Sequence, residues 1–299
     1  MDAATGGRGW PAWLRLSRPR QWTKNVLVLA APGAAGVLHH PEVAWRTAVM
    51  VVAFCLASSG TYWVNDALDV EVDRRHPRKR HRPVAAGLVP VRVAQAGGVG
   101  LILAGAAVAV GTGRPWAAGV VVTYAVLTLA YSLALKRLAV VDLVVVAFGF
   151  VLRAVGGAVA ASVAVSNWFL LCTSFGSLLI VTGKRFGELV EVTGGRDGST
   201  RSTLLRYDTP FLRTVLAVAT GSCLVSYCLW AFEKADLPGV DHHLFELSIV
   251  PMATALFRYL LVVESGAGSA PEEVFLADRT LQVTGLVWLG LFGTGVAIG

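Results

Sequence analysis

Apolar residues run along this chain in blocks too long and too continuous for a soluble fold. Nine segments, approximately 24–38, 43–66, 92–112, 116–135, 139–161, 166–186, 210–232, 246–263 and 280–298, are mainly apolar. A membrane-spanning helix needs about 20 such residues, because in lipid only a helix bonds all its own backbone groups. Runs such as 118–130 and 140–151 are apolar on every side, whereas barrel strands would alternate. The pattern therefore predicts an all-α polytopic membrane protein of about nine transmembrane helices, the first of them the shortest. The apolar stretch from Val26 follows a long basic segment and leads to no small-residue cleavage pattern, so no cleavable signal peptide is expected. Residues 1–299 read as one transmembrane domain, with a basic N-terminal segment 1–23 and two charge-rich loops, 67–91 and 187–209.

Composition agrees. Of 299 residues, 55% are hydrophobic and only 15% charged, against about 25% charged in an ordinary soluble domain. The formal charge of +7 comes from 26 Lys and Arg against 19 Asp and Glu. Twenty-one of those 26 cations fall on alternate loops of one side. The other side holds only Arg46, Arg114 and Lys234, and Arg153 and Arg258 lie within spans. Positive loops stay in the cytoplasm. The N-terminus is thus expected inside a plasma membrane and, with an odd number of spans, the C-terminus outside. Nucleic acid is a poor partner, since the basic residues are spread over membrane loops without a binding motif. Cys55, Cys172, Cys223 and Cys228 lie in apolar runs with no C-x-x-C spacing, which speaks against metal or disulfide roles.

Candidate chemistry begins where the second segment ends. On a helix, Tyr62, Asn65, Asp66, Asp69 and Asp73 share one sector of about 100°, with Glu71 off that face. Carboxylates so close repel each other and are costly at a membrane boundary. A divalent cation resolves the conflict, and hard oxygen ligands suit Mg²⁺, which takes one or two carboxylates plus substrate phosphates. The plain alternative is a solvated helix end salt-bridged to the arginines that follow. The basic residues that follow include Lys79, Arg80 and Arg82, in a stretch that topology or lipid headgroups would also explain. An acidic metal face beside fixed cations is what a diphosphate requires.

Further cations lie toward the same membrane side: Lys136 and Arg137 after the fourth segment, Lys184 and Arg185 at the end of the sixth. In the fifth segment Asp142 and Arg153 share a helix face but lie about 16 Å apart along it. Each therefore needs another partner. An intramembrane arginine is a candidate functional residue by default, with a structural salt bridge as its alternative.

The sequence Asn65-Asp66-x-x-Asp69-x-x-x-Asp73, closing a span and followed by a basic loop, resembles the first aspartate motif of the UbiA superfamily of intramembrane prenyltransferases. The resemblance extends along nearly the whole chain. It includes Arg18-Pro19-Arg20-Gln21-Trp22-x-Lys24-Asn25, Arg80-x-Arg82-Pro83, Leu152-Arg153-Ala154, Ser166-x-Trp168-Phe169, Gly183-Lys184-Arg185 and Leu229-Trp230-Ala231-Phe232-Glu233. It implies a UbiA-like bundle, and most resembles the branch that acts on decaprenyl phosphate and phosphoribosyl diphosphate. Where the superfamily's second aspartate motif usually has several acids, this chain has Asp142 alone, followed by Val145 and Val146.

The implied reaction moves 5-phosphoribose from phosphoribosyl diphosphate onto decaprenyl phosphate, releasing diphosphate, for the arabinose donor of the actinobacterial cell wall. The resemblance assigns Asn65, Asp66, Asp69 and Asp73 to Mg²⁺, and Asp66, Asp69 and Asp73 to catalysis. It assigns Tyr62, Lys79, Arg80, Arg82, Lys136, Asp142, Arg153, Lys184 and Arg185 to donor and phosphate binding. Arg20, Gln21, Trp22 and Lys24 would receive the lipid phosphate. Two alternatives stay open: a conventional UbiA enzyme prenylating an aromatic acceptor, and a membrane transporter or lipid-binding protein. So does the choice between monomer and homo-oligomer.

Overall fold

A computed structural model describes residues 9–77, 79–193, 204–236 and 242–298, and among these every regular element is helical. Among the described residues, eight helices are long and apolar enough to cross a membrane. They are α1 (Pro41–Leu68), α2 (Val91–Val110), α3 (Pro115–Leu133), α4 (Val141–Ala161), α5 (Asn167–Thr193), α6 (Thr209–Ala235), α7 (His243–Gly266) and α8 (Arg279–Ile298). The glycine-bearing part of loop 187–209 lies outside the described residues.

The expected first span, 24–38, is not a single long helix. The chain instead forms a 3₁₀ helix over Pro19–Leu29, a short α turn over Ala30–Ala34 and a second 3₁₀ turn over Val37–His39. Its contacts explain the choice. Arg18 bonds Asp66, Trp22 bonds Ser59 and Asn25 bonds Cys55, so the segment descends α1 from its end back toward Pro41. From Asp66 to Pro41 α1 is about 38 Å long, whereas the chain from Arg18 to His40, coiled as an α-helix, would reach about 33 Å. A 3₁₀ helix rises about 2.0 Å per residue instead of 1.5 and covers the distance. The segment is therefore a strap of broken helix running antiparallel to α1, and it is not among the eight candidate spans.

The chain divides into two compact units. The first comprises the residues up to Leu135 together with Leu152–Val163. Its core gathers Val28 of the strap, Met50, Phe54 and Ala57 of α1, Val121 and Tyr124 of α3, and Leu152 of α4. Helices α1 and α2 touch at backbone distance: a Cβ on Gly60 would stand 2.5 Å from the Gly98 carbonyl oxygen. Such closeness suits lipid, where contact rather than water expulsion drives helix pairing. A smaller cluster of Leu16, Ala67, Val84, Val89 and Ala94 packs where α1 ends and the basic loop returns.

The second unit comprises Lys136–Val151 and the residues from Ala164 onward. Its core includes Leu143 and Ala147 of α4, Leu179 and Phe186 of α5, Leu212 and Leu216 of α6, and Tyr259 of α7. Asp208 caps α6 by accepting from the Phe211 amide at 2.8 Å, with Pro210 in the first turn. Arg258 pairs with Asp278 through two donors at 2.8 and 3.0 Å, a structural ion pair.

Candidate active site

Helix α1 ends at Asp69. The residue's backbone (φ −91°, ψ 7°) leaves the helical region, and a second short helix, Val70–Arg75, starts after it. Backbone bonds run through the break, from the Asp69 amide to the Asn65 carbonyl at 2.9 Å and from the Asp73 amide to the Asp69 carbonyl at 2.8 Å. Helical phase thus survives the kink, and Asp66 and Asp73 still face the same way, as the periodicity predicted.

What meets them is a guanidinium. Arg82 uses a single nitrogen, Nη1, to reach Asp73 Oδ2 at 2.7 Å and Asp66 Oδ1 at 3.2 Å. Arg18 Nη2 approaches the same Asp66 oxygen at 2.5 Å. Both carboxylates are 2% exposed, so the pairing is not that of a solvated helix end. Burial pushes the Asp73 carboxyl above its ordinary pKa, while Arg82 and Lys79 pull the other way. Arg18 also lies over the Tyr62 ring, 4.8 Å from its centroid. Asn65 and Asp69 are half-buried beside the pair.

The other expected phosphate ligands divide. Lys79 is half-buried, whereas Arg80 is exposed and turned toward His81. On the strap, Arg20 is exposed and Gln21 and Lys24 are half-buried. The Trp22 indole instead donates to Ser59 Oγ at 3.0 Å. Arg153 is 5% exposed. Its Nε donates to Asn25 Oδ1 at 2.8 Å and its Nη2 to Tyr124 OH at 2.9 Å, with the cation 4.6 Å from the Tyr124 ring centroid.

In the second unit Asp142, 2% exposed, accepts from Arg185 Nε at 3.2 Å and from the Tyr207 hydroxyl. Arg185 also donates to Glu188 at 2.8 Å. Tyr207 OH accepts from the Val140 amide at 2.7 Å, which holds Val140 in the left-handed region at φ 69°. Burial and the neighbouring carboxylate push the Tyr207 phenol up. Lys136 and Lys184 are half-buried.

The donor chemistry fits a hard divalent ion. Asp66 and Asp73 already converge on one cationic nitrogen, and Asn65 and Asp69 add oxygens at the same helix end. Among the described residues no three acid, His or Cys side chains form a closed cage.

The model of the UbiA prenyltransferase family matches residues 26–283. The chain belongs to the UbiA prenyltransferase family. It is 43% identical to the decaprenyl-phosphate phosphoribosyltransferase of Mycobacterium tuberculosis over 94% of this chain and 93% of that one. It is 41% identical to the enzyme of the same name from Corynebacterium glutamicum, covering 92% and 84%. In fold it is similar to a UbiA homolog from Archaeoglobus fulgidus solved bound to DMAPP and Mg²⁺. The TM-score there is 0.68 at 15% identity, covering 95% of this chain and 98% of that one.

For this UbiA family member, sequence reasoning missed two residues. Arg18 reads as one of many topology-setting cations, and its pairing with Asp66 spans 48 residues. Its place in the Arg-Pro-Arg-Gln-Trp motif was the available signal. Tyr207 stands alone after a loop, and only the need of a buried Asp142 for donors pointed to a residue of its kind.

Proposed function

We propose that this chain transfers 5-phosphoribose from phosphoribosyl diphosphate to decaprenyl phosphate, giving decaprenylphosphoryl-5-phosphoribose and diphosphate. The observation that carries the reading is identity of about 40% to enzymes of that name over more than nine-tenths of the chain. The buried carboxylate pair with its guanidinium supports it, since a polyanionic donor needs both a cation-binding face and fixed cations.

In the reaction an oxygen of the lipid phosphate forms a bond to C1 of the ribose as the bond from C1 to the diphosphate oxygen breaks. A phosphate oxygen is already anionic near neutral pH, so the nucleophile needs no general base. The work left to the protein is alignment and charge stabilisation. Mg²⁺, when bound, would supply charge neutralisation for diphosphate departure, with Asn65, Asp66, Asp69 and Asp73 to hold it. Arg82, Lys79 and Arg80 take diphosphate oxygens, and Tyr62 hydrogen-bonds the donor. Lys136, Arg153, Lys184 and Arg185 serve the remaining phosphates, with Asp142 fixing the Arg185 guanidinium. Arg20, Gln21, Trp22 and Lys24 receive the lipid phosphate.

The enzyme works in the plasma membrane, with its N-terminus and chemistry cytoplasmic and its C-terminus outside. This arrangement requires an odd number of crossings, with the strap counted as the ninth. The product serves the arabinose donor of the actinobacterial cell wall.

The test is incubation of the purified protein with labelled phosphoribosyl diphosphate, decaprenyl phosphate and Mg²⁺. Label is expected in the organic phase. A folded preparation that transfers none overturns the reading, and prenylation of an aromatic acceptor from a prenyl diphosphate would replace it.

A further inference from the structure

Arg18 is held in an unusual way. Its backbone is left-handed (φ 52°, ψ 62°) at the junction between the short helix Ala12–Ser17 and the strap. An L-residue avoids that region, and one before proline has little freedom to relax. Such strain persists where the surroundings over-determine it, which is most often at functional sites.

The surroundings here are specific. The Ser17 hydroxyl accepts from Trp63 Nε1 at 3.1 Å, and the Ser17 carbonyl accepts from Ser59 Oγ at 3.1 Å. Trp22 in turn donates to Ser59. The backbone is thus tied to α1 on both sides of Arg18. The Arg18 side chain is 28% exposed, while the Asp66 side chain beneath it is 2% exposed. Arg18 therefore covers Asp66 from the solvent side, resting on the Tyr62 ring. Two guanidiniums, Arg18 and Arg82, crowd one oxygen of Asp66. Arg82 makes its shorter bond to Asp73, at 2.7 Å, so Arg18 is the closer counterion of Asp66, and it stands on the side from which a divalent cation would approach.

We propose that Arg18 is an exchangeable counterion: it neutralises Asp66 in the free protein and passes to a phosphate oxygen of the donor when a divalent cation takes the carboxylate. This rests on the donor being phosphoribosyl diphosphate. Arginine suits the exchange because its fork binds carboxylate and phosphate oxygens alike. The exchange couples cation and donor binding. Before the donor arrives Arg18 competes with the cation; afterwards it holds the donor.

The coupling makes two affinities move in opposite directions, which a merely structural clasp would not do. Mn²⁺ binding to the detergent-solubilised protein is read by electron paramagnetic resonance of the free ion. Phosphoribosyl diphosphate binding in saturating Mg²⁺ is read by calorimetry. Arg18→Gln is expected to bind Mn²⁺ alone about tenfold more tightly and the donor about tenfold more weakly, within the usual range for coupled sites. Arg18→Lys, which keeps the charge but not the fork, should fall between for the donor. If Arg18→Gln does not fold, Arg18→Met, which also removes the charge, replaces it with the same opposition of signs expected. Unchanged or weaker Mn²⁺ binding in a folded variant overturns the proposal. Failure of the unmodified protein to bind phosphoribosyl diphosphate overturns the donor assignment instead, while the Mn²⁺ comparison still reports whether Arg18 competes for Asp66.

Discussion

Arg153 Nε donates to Asn25 Oδ1 at 2.8 Å, joining residues 128 positions apart in the chain. The bond fastens the strap to α4 inside the first unit, with Tyr124 taking a second donor of the same guanidinium. Asn25→Ala leaves that charged donor short of an acceptor and is expected to cost about 1.5–3 kcal/mol. Arg153→Lys should be no milder, since one ammonium cannot follow the planar fork. Thermal unfolding in detergent checks both. A double-mutant cycle of Asn25→Ala with Arg153→Met should show coupling of at least about 0.5 kcal/mol, and strict additivity would count against the fastening.

Asp66 and Asp69 should separate stability from activity. Asp66→Ala strips the buried partner from Arg18 and Arg82, so both thermal stability and transfer of labelled phosphoribose are expected to fall. Breaking a buried pair from one side typically costs about 3–5 kcal/mol, with the lower end expected here because the arginines keep some solvent. Asp69→Ala, at the kink, should abolish transfer while the protein still folds. Asp69→Ala protein with near-normal turnover would remove Asp69 from the metal assignment.

The pH dependence of stability follows from Asp73. Burial raises its folded pKa above the ordinary 3.8, and Arg82 opposes the rise. A carboxyl whose folded pKa lies above its unfolded one favours folding while protonated. That contribution is complete below 3.8 and is lost as pH climbs through the folded value. Without the guanidinium the rise is larger, so Arg82→Gln should lose stability more steeply than the parent as pH increases above about 4. Melting curves from acid to neutral pH in one detergent test this, and parallel profiles would refute it.

Much of this was legible in the sequence, and for identifiable reasons. Uniform apolar runs predicted the eight long helices, because a lipid-spanning helix leaves little choice of composition. The common face of Asp66 and Asp73 followed from helical period, which the kink at Asp69 happens to preserve. The strap was not legible: an apolar run looks the same coiled as 3₁₀ or α, and only the length of α1 decides between them. Arg82 was legible only as one of the following arginines in the salt-bridged alternative, and Arg18, 48 residues from Asp66, was not legible as a partner at all, since no period links them.

Tyr207 joins a buried carboxylate to a strained backbone position in the second unit. Its hydroxyl donates to Asp142 and accepts from Val140, a β-branched residue at positive φ. Tyr207→Phe removes both bonds at once and is expected to cost about 1–3 kcal/mol, the price of leaving buried polar groups unpaired. Val140→Gly should act in the opposite direction or be neutral, because glycine adopts that backbone without penalty. If Asp142 serves the reaction by fixing Arg185, Tyr207→Phe also lowers turnover more than Val140→Gly. The measurement pairs melting temperature with label transfer for the two variants.

The tightest contact of the strap offers the sharpest test of its packing against α4. A Cβ on Gly157 of α4 would stand 1.8 Å from the Val28 carbonyl oxygen, and the atom in the way is backbone. Gly157→Ala must therefore push the strap off α4, at a cost of about 1–3 kcal/mol or more for overpacking. Gly100, in the middle of α2, is the control, since a Cβ there meets nothing within 4 Å. Gly100→Ala should be neutral or stabilising by about 0.5–1 kcal/mol, as expected for alanine replacing glycine inside a helix. If the strap were only loosely associated with α4, the two substitutions would shift the melting temperature alike. Opposite shifts, with Gly157→Ala the destabilising one, are the outcome that its packing against Val28 requires.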